Sequence, residues 1–167
     1  MTQTGLVIAG TQSSVGKSSF AIGLMRLFKR NGLNVRPFKV GPDYIDPSHH
    51  SRACGIPSYN LDSWMCSPQY IRKLYGDVMD KNSFSVIEGV MGLFDGAYAK
   101  KNTGATAEIA ATLNLPIVLV VDGRAMARSI AAMVNGYAQF DRNLRFIGVV
   151  ANRVNRPSHA RILKDAI

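Results

Sequence analysis

Cysteine is nearly absent from this chain. Only Cys54 and Cys66 occur in 167 residues, and they fit neither a disulfide framework nor metal-type spacing. No apolar run approaches the length of a membrane span, and no signal-peptide pattern opens the chain. Acidic residues are also scarce, 11 Asp and Glu against 20 Lys and Arg, which leaves a net charge of +9. Internal repeats, low-complexity linkers and recognised nucleic-acid modules are missing as well. These absences exclude a disulfide-stapled secreted scaffold, a membrane-spanning protein and a repeat array, and the expected compartment is the cytoplasm. The basic excess suits either nucleic acid or a cleft that concentrates small polyanions. With no nucleic-acid module in view the small-anion reading is preferred, and a merely soluble basic surface stays open. Neither nucleic acid nor membrane is expected as a partner.

What is present is a regular alternation of apolar, β-branched runs with helical patterns. The strands are expected at Gly5–Ala9, Val35–Val40, Phe84–Glu88, Pro116–Val121 and Phe146–Ala151. The helices are expected at Lys17–Lys29, Pro68–Asp80, Ala105–Leu113 and Arg124–Phe140, with a last one from near Pro157. Near-continuous apolar strands separated by helices imply an α/β fold of the P-loop NTPase type, a mostly parallel sheet with helices on both faces. Residues 1–167 are one domain of ordinary size, and the halt at Ile167 inside a helical pattern leads us to expect a longer polypeptide.

The strongest single motif is Gly10-Thr11-Gln12-Ser13-Ser14-Val15-Gly16-Lys17-Ser18-Ser19, set between the first strand and the first helix. Backbone N–H groups and a helix N-terminus there would cradle a polyphosphate, with Lys17 on the outer phosphates and Ser18 on Mg²⁺. Thr11 stands where the usual pattern has glycine, and Gly10 is expected to supply the tight turn instead.

Ligands of a parallel sheet collect at the carboxyl ends of its strands, and all five exits carry polar residues that look like one composite site. Glu88 leaves its strand as a Mg²⁺-binding acid would, or as a solvated strand end. Asp43 and Asp46, in a loop braced by Pro42 and Pro47, suit a nucleotide-bound ion or simple turn chemistry. Asp95 is either a ligand or a turn aspartate, and Gly89, Gly92 and Gly96 suggest close approach to a ligand. Asn152 offers a donor and an acceptor to a purine edge, or caps a turn. His49-His50 has no partner at ligand spacing and is expected to be solvated or hydrogen-bonded. Tyr59, Trp64 and Met65 line a flat apolar pocket or belong to the core, the core being preferred. Alanine at Asp43 or Glu88 is expected to cost turnover far more than folding stability.

Four further segments complete the picture: Lys39-Val40-Gly41-Pro42-Asp43-Tyr44-Ile45-Asp46-Pro47, Asn60-Leu61-Asp62-Ser63-Trp64-Met65, Glu88-Gly89-Val90-Met91-Gly92-Leu93-Phe94-Asp95-Gly96 and Thr106-Ala107-Glu108-Ile109-Ala110. Together with the phosphate loop they resemble the cobyrinic acid a,c-diamide synthase family over nearly the whole chain. The synthases that form the nickel-sirohydrochlorin diamide are similar in this region. The resemblance implies a dethiobiotin-synthetase-like fold and an ATP- and Mg²⁺-dependent amidoligase that turns tetrapyrrole acetate carboxylates into amides through acyl phosphates. It implies nucleotide contacts from Thr11 through Ser19 and from Asn152, on the adenine, and Arg153. Lys17, Asp43, Asp46, Glu88 and Asp95 would handle phosphate, metal or substrate. Ser18, Asp43 and Glu88 would hold the metal, and Tyr44 and Arg124 would touch substrate. The family's ammonia comes from a C-terminal glutaminase domain that this chain does not contain. No cysteine here sits in a nucleophile-elbow context, so glutamine-dependent activity is not expected of the chain alone, and its amidation with ammonia should be weak or absent. A homodimer is compatible with the resemblance. Two alternatives stay open. One is a Min/Par-type nucleotide switch, disfavoured because no lysine lies between Gly10 and Gly16; the other is a dethiobiotin-synthetase-type carboxylase.

Overall fold

The computed structural model describes residues 4–167. The elements run β1 (Gly5–Gly10), α1 (Lys17–Arg30), β2 (Asn34–Val40), α2 (Ile45–Cys54), β3 (Tyr59–Leu61), α3 (Pro68–Val78), β4 (Ser83–Glu88), α4 (Thr106–Leu113), β5 (Ile117–Asp122), α5 (Ser129–Phe140), β6 (Phe146–Asn152) and α6 (Pro157–Ala166). The strands form one six-stranded sheet in the order β3-β2-β4-β1-β5-β6. Every pairing in it is parallel.

Alternation along the strands divides the core in two. Leu6, Ile8, Val86 and Val120 face one side, where Ala21 and Met25 of α1 and Ala53 and Cys54 of α2 cover them. Val7, Ala9, Ile87, Leu119 and Val121 face the other, beneath Ile71 and Tyr75 of α3, Ile109 and Leu113 of α4, Ile130 of α5 and Leu163 of α6. Burial on both faces is why the strands read as unbroken apolar runs.

Two elements escape the sequence pattern. α2 begins where a loop was expected, because Asp43 Oδ1 accepts the backbone N–H groups of Ile45 (2.8 Å) and Asp46 (3.1 Å) and closes the helix start. Pro47 is tolerated there because the first turn's N–H groups have no intrahelical partner. The edge strand β3 has three residues, too few to show a period. α5 starts at Ser129 rather than Arg124, since Ala125 sits in the left-handed region at φ 53° and interrupts the helix.

Cys54, at the end of α2, is buried against α1 and the sheet, and desolvation pushes its thiol up to about 11 despite Lys29 and Arg26 nearby. Cys66 is only partly buried. Since the thiolate is the reactive form, iodoacetamide at mildly alkaline pH is expected to label Cys66 well before Cys54. Peptide mass mapping checks this, and equal labelling would mean that the C-terminal end of α2 does not pack Cys54 into the core.

Candidate functional site

The phosphate loop joins β1 to α1. Gly16, at φ 100°, turns the chain into the helix, and a Cβ there would lie 2.1 Å from Asn152 Nδ2. Glycine is therefore required on two counts. α1 has no side-chain cap and no acidic residue in its first turn. Its leading N–H groups stay available to an anion, as the helix dipole favours. Gly10 ends β1 rather than making the turn; a Cβ there would press on Val15, Gln12 and Lys17, so close approach explains the residue. Thr11 is anchored by its N–H to Val120 O at 3.1 Å, and its carbonyl accepts the Tyr137 hydroxyl.

Lys17 is buried, and its ammonium reaches Gln12 O at 3.2 Å. Desolvation first, then the Lys39 charge, holds its pKa below the ordinary lysine value, against the pull of Glu88, Asp46 and Asp95. A cation kept unfavourable in this way gains when a polyanion arrives.

Behind the loop lies a charged cluster that the sheet register assembles. Lys39 and Glu88 are direct ladder partners of β2 and β4. Both are buried. Glu88 Oε1 accepts Ser18 Oγ at 2.6 Å and Lys39 Nζ at 3.4 Å, while Oε2 meets His50 Nε2 at 2.6 Å. Lys39 Nζ also lies 3.1 Å from Asp46 Oδ2, 4.0 Å from Asp43 Oδ2 and 2.9 Å from Gly89 O. Burial alone would raise the Glu88 carboxyl, but His50, Lys39 and Ser18 outweigh it and hold the group below the ordinary glutamate value. A buried glutamate bonded to the phosphate-loop serine is the donor arrangement expected of a magnesium-binding acid. Among the described residues no three His, Cys, Asp or Glu form a metal cage. A divalent ion here would complete its shell from phosphate oxygens and water.

The other predicted residues fall into place around this centre. Asp43 spends one oxygen on the α2 start and turns the other toward Lys39. Asp95 accepts Gly92 N–H at 3.0 Å, so one of its oxygens serves a turn. Close approach at Gly89 and Gly92 is to the protein itself, to Thr106 and to Asp95 with Thr11, rather than to a ligand-shaped gap. Tyr44 is 91% exposed on the same rim.

On the opposite side, Asn152 donates to Val15 O at 2.8 Å and accepts Arg153 N–H at 2.8 Å. Arg153 reaches Ser14 O at 2.6 Å and Asp122 Oδ2 at 2.7 Å. Arg124 also binds Asp122, and its bonds, with Arg153's, hold that carboxyl far below the ordinary aspartate value. Loop, β5 exit and β6 exit are thus tied together.

Residues 6–167 match the CobQ/CobB/MinD/ParA nucleotide binding domain. The chain belongs to this family. Over 162 residues it is 48% identical to the cobyrinate a,c-diamide synthase of Syntrophotalea carbinolica, covering 97% of this chain and 35% of that protein. Similarity to the Salmonella typhimurium cobyrinate a,c-diamide synthase is 45% identity over 96% of this chain and 35% of that one. The hydrogenobyrinate a,c-diamide synthase of Rhizobium meliloti is 42% identical, covering 98% and 38%. The chain spans little more than a third of these relatives' length. In fold it is similar to chloroplast FtsY from Physcomitrella patens, with a TM-score of 0.56 over 89% of this chain and 50% of that one at 15% identity. Among the described residues no helix is long and apolar enough to cross a membrane.

Within this nucleotide-binding domain, sequence reasoning passed over Lys39, His50 and Asp122 as site residues. Lys39 stood in a quoted strand exit, but a lysine inside an apolar strand was the available signal that a buried counter-charge was near. His50 was expected to be solvated or hydrogen-bonded, and it is hydrogen-bonded, but its partner Glu88 is 38 residues away and could not be named. Asp122 was quoted as a polar exit, and its two arginine partners are brought by the fold.

Proposed function

We propose that this chain is the ATP-binding, amide-forming domain of a tetrapyrrole a,c-diamide synthase. The observation that carries the reading is the buried Glu88 hub, bonded to phosphate-loop Ser18, in a chain 48% identical across nearly its whole length to a cobyrinate a,c-diamide synthase. The loop N–H groups and Lys17 bind the triphosphate of ATP; Ser18, Glu88 and Asp43 hold Mg²⁺. Bound there, Mg²⁺ neutralises phosphate charge as the γ-phosphoryl group moves. An acetate carboxylate of the substrate is already ionised and needs no general base. Its oxygen forms the bond to the γ-phosphorus as the bond to ADP breaks. Ammonia then attacks the acyl carbon, phosphate leaves, and the nitrogen loses a proton. Lys17 and the loop supply charge and position, which is most of what phosphoryl transfer asks of a protein. Lys39 and Asp46 keep the charge around Glu88 balanced, Asp95 supports the charge of Lys17, and Tyr44 and Arg124 contact the substrate.

Ammonia is proposed to come from a glutaminase domain, because neither cysteine is set up as a nucleophile. Burial pushes the Cys54 thiol up rather than down, the reverse of what an activated cysteine needs. Incubating the chain with Mg·ATP, cobyrinic acid and ammonium should give diamide at low turnover by mass spectrometry, and none with glutamine alone. Product from glutamine, or tetrapyrrole-independent ATP hydrolysis with no amide, would contradict the reading. The second outcome would instead favour a nucleotide switch.

Asn152 is proposed as the adenine contact, its second amide proton and second carbonyl lone pair being free for the base. Asn152→Ala should remove about 1 kcal/mol from ATP binding and narrow the preference for ATP over GTP in competition calorimetry. Equal losses for both nucleotides would make it only a strut for Val15.

A further inference from the structure

Large apolar side chains are exposed on the rim beyond the nucleotide cradle. Trp64 is 59% exposed, Met65 69%, Tyr98 54% and Tyr59 40%, so the expected core placement of Tyr59, Trp64 and Met65 does not occur. Trp64 follows β3 and Tyr98 lies on the loop after β4; both loops leave the sheet at the carboxyl ends of the parallel strands, where the phosphate loop also sits. The two rings are 5.8 Å apart and tilted by 45°.

This pair is built rather than accidental. Asp62, itself buried, accepts the backbone N–H groups of Trp64 (2.8 Å) and Met65 (3.3 Å) and fixes the first loop. Gly104 N–H, on the second loop, donates to Ser63 Oγ at 3.1 Å and to Glu108 Oε2 at 3.0 Å, stapling one loop to the other. Gly104, at φ 80°, passes close to the Trp64 side chain. A bridge between Tyr98 and Lys101 closes a tight turn, which places exposed Lys100 and Lys101 beside the aromatic pair.

Two exposed aromatic side chains next to two exposed lysines match a broad, largely apolar macrocycle with carboxylates on its rim. We propose that Trp64 and Tyr98 form the face on which the substrate macrocycle rests, with Lys100 and Lys101 meeting side-chain carboxylates. The face orients the ring so that an acetate arm reaches the γ-phosphate. This inference rests on the diamide-synthase reading, and the test separates the two.

Cobyrinic acid binding is measured by calorimetry on the wild type, Trp64→Ala, Tyr98→Ala, Trp64→Phe and Lys100→Glu/Lys101→Glu, with Mg·ATP affinity as the control for folding. Each alanine variant should lose about tenfold in cobyrinic acid affinity, while Mg·ATP affinity stays unchanged. Trp64→Phe should recover most of the loss. The double charge reversal should weaken binding and flatten its salt dependence. As Trp64 is the chain's sole tryptophan, its fluorescence should also quench on binding. Wild-type affinity in both alanine variants would overturn the platform and leave the diamide-synthase reading standing. No binding to the wild type, with Mg·ATP bound normally, would overturn both. Variants that change the sedimentation of the chain but not its cobyrinic acid affinity would give the face to a second copy and overturn the proposal.

Discussion

Lys17→Ala is expected to weaken Mg·ATP binding ten- to a hundredfold while leaving the fold intact. A hydrogen bond to a charged group is worth about 1.5–3 kcal/mol, and Lys17 is the loop's own ammonium. In the resting protein that ammonium has one carbonyl partner, at 3.2 Å. Burial and Lys39 both work against its charge. Removing it relieves a repulsion, so the melting temperature should hold or rise slightly. Calorimetry and thermal melts together decide it, and equal Mg·ATP affinity in both proteins would sink the assignment. The pH dependence has a definite sign. Because the Lys17 pKa is lowered, its proton is lost at a pH below the ordinary lysine value of 10.5. ATP affinity should fall as pH rises through that lowered value, and binding in that range should take up protons from the buffer.

Replacing Glu88 should damage both stability and chemistry, contrary to the expectation that alanine there would spare the fold. Glu88→Ala strands Lys39 and His50 in a buried site and opens a cavity beside them. Breaking a buried pair from one side costs about 3–5 kcal/mol, moderated here because Asp46 still faces Lys39 at 3.1 Å. Glu88→Gln keeps the shape and removes the charge. It should fold with a smaller loss in urea denaturation and still show no Mg²⁺-dependent gain in ATP affinity. If Glu88→Ala unfolds at the wild-type urea midpoint, the cluster is not held together as described. If Glu88→Gln keeps the Mg²⁺ response, Glu88 is not a metal ligand. Asp43→Ala should be milder for the fold, because Asp43 is partly exposed and loses only the closure of the α2 start and a 4.0 Å approach to Lys39.

The five longer strands and the phosphate loop were legible because their signals are local. Six consecutive buried residues in β1, followed by Gly16-Lys17-Ser18, leave few other readings. β3 was illegible because three residues carry no period, and α2 because a proline in its first turn looks like a loop. The exit loops gather at the strand ends as expected, but the partners inside them were not legible. Lys39 opposes Glu88 only through the β2–β4 register, and His50 reaches Glu88 only because α2 packs beneath those strands. Trp64 was weighed as core since large aromatics are usually buried; that its loop is fixed at the surface by Asp62 depends on two backbone hydrogen bonds that composition does not disclose.

The central claim is that a substrate carboxylate is activated by phosphorylation at this site. It is tested most directly by the fate of a carboxylate oxygen. Cobyrinic acid labelled with ¹⁸O in its carboxylates is incubated with the protein, Mg·ATP and ammonium, and the released phosphate is analysed by mass spectrometry. Attack of the carboxylate on the γ-phosphorus, followed by displacement by ammonia, carries one labelled oxygen into each phosphate. Labelled phosphate is the predicted result; phosphate released without the label would mean that water, not the substrate, takes the phosphoryl group.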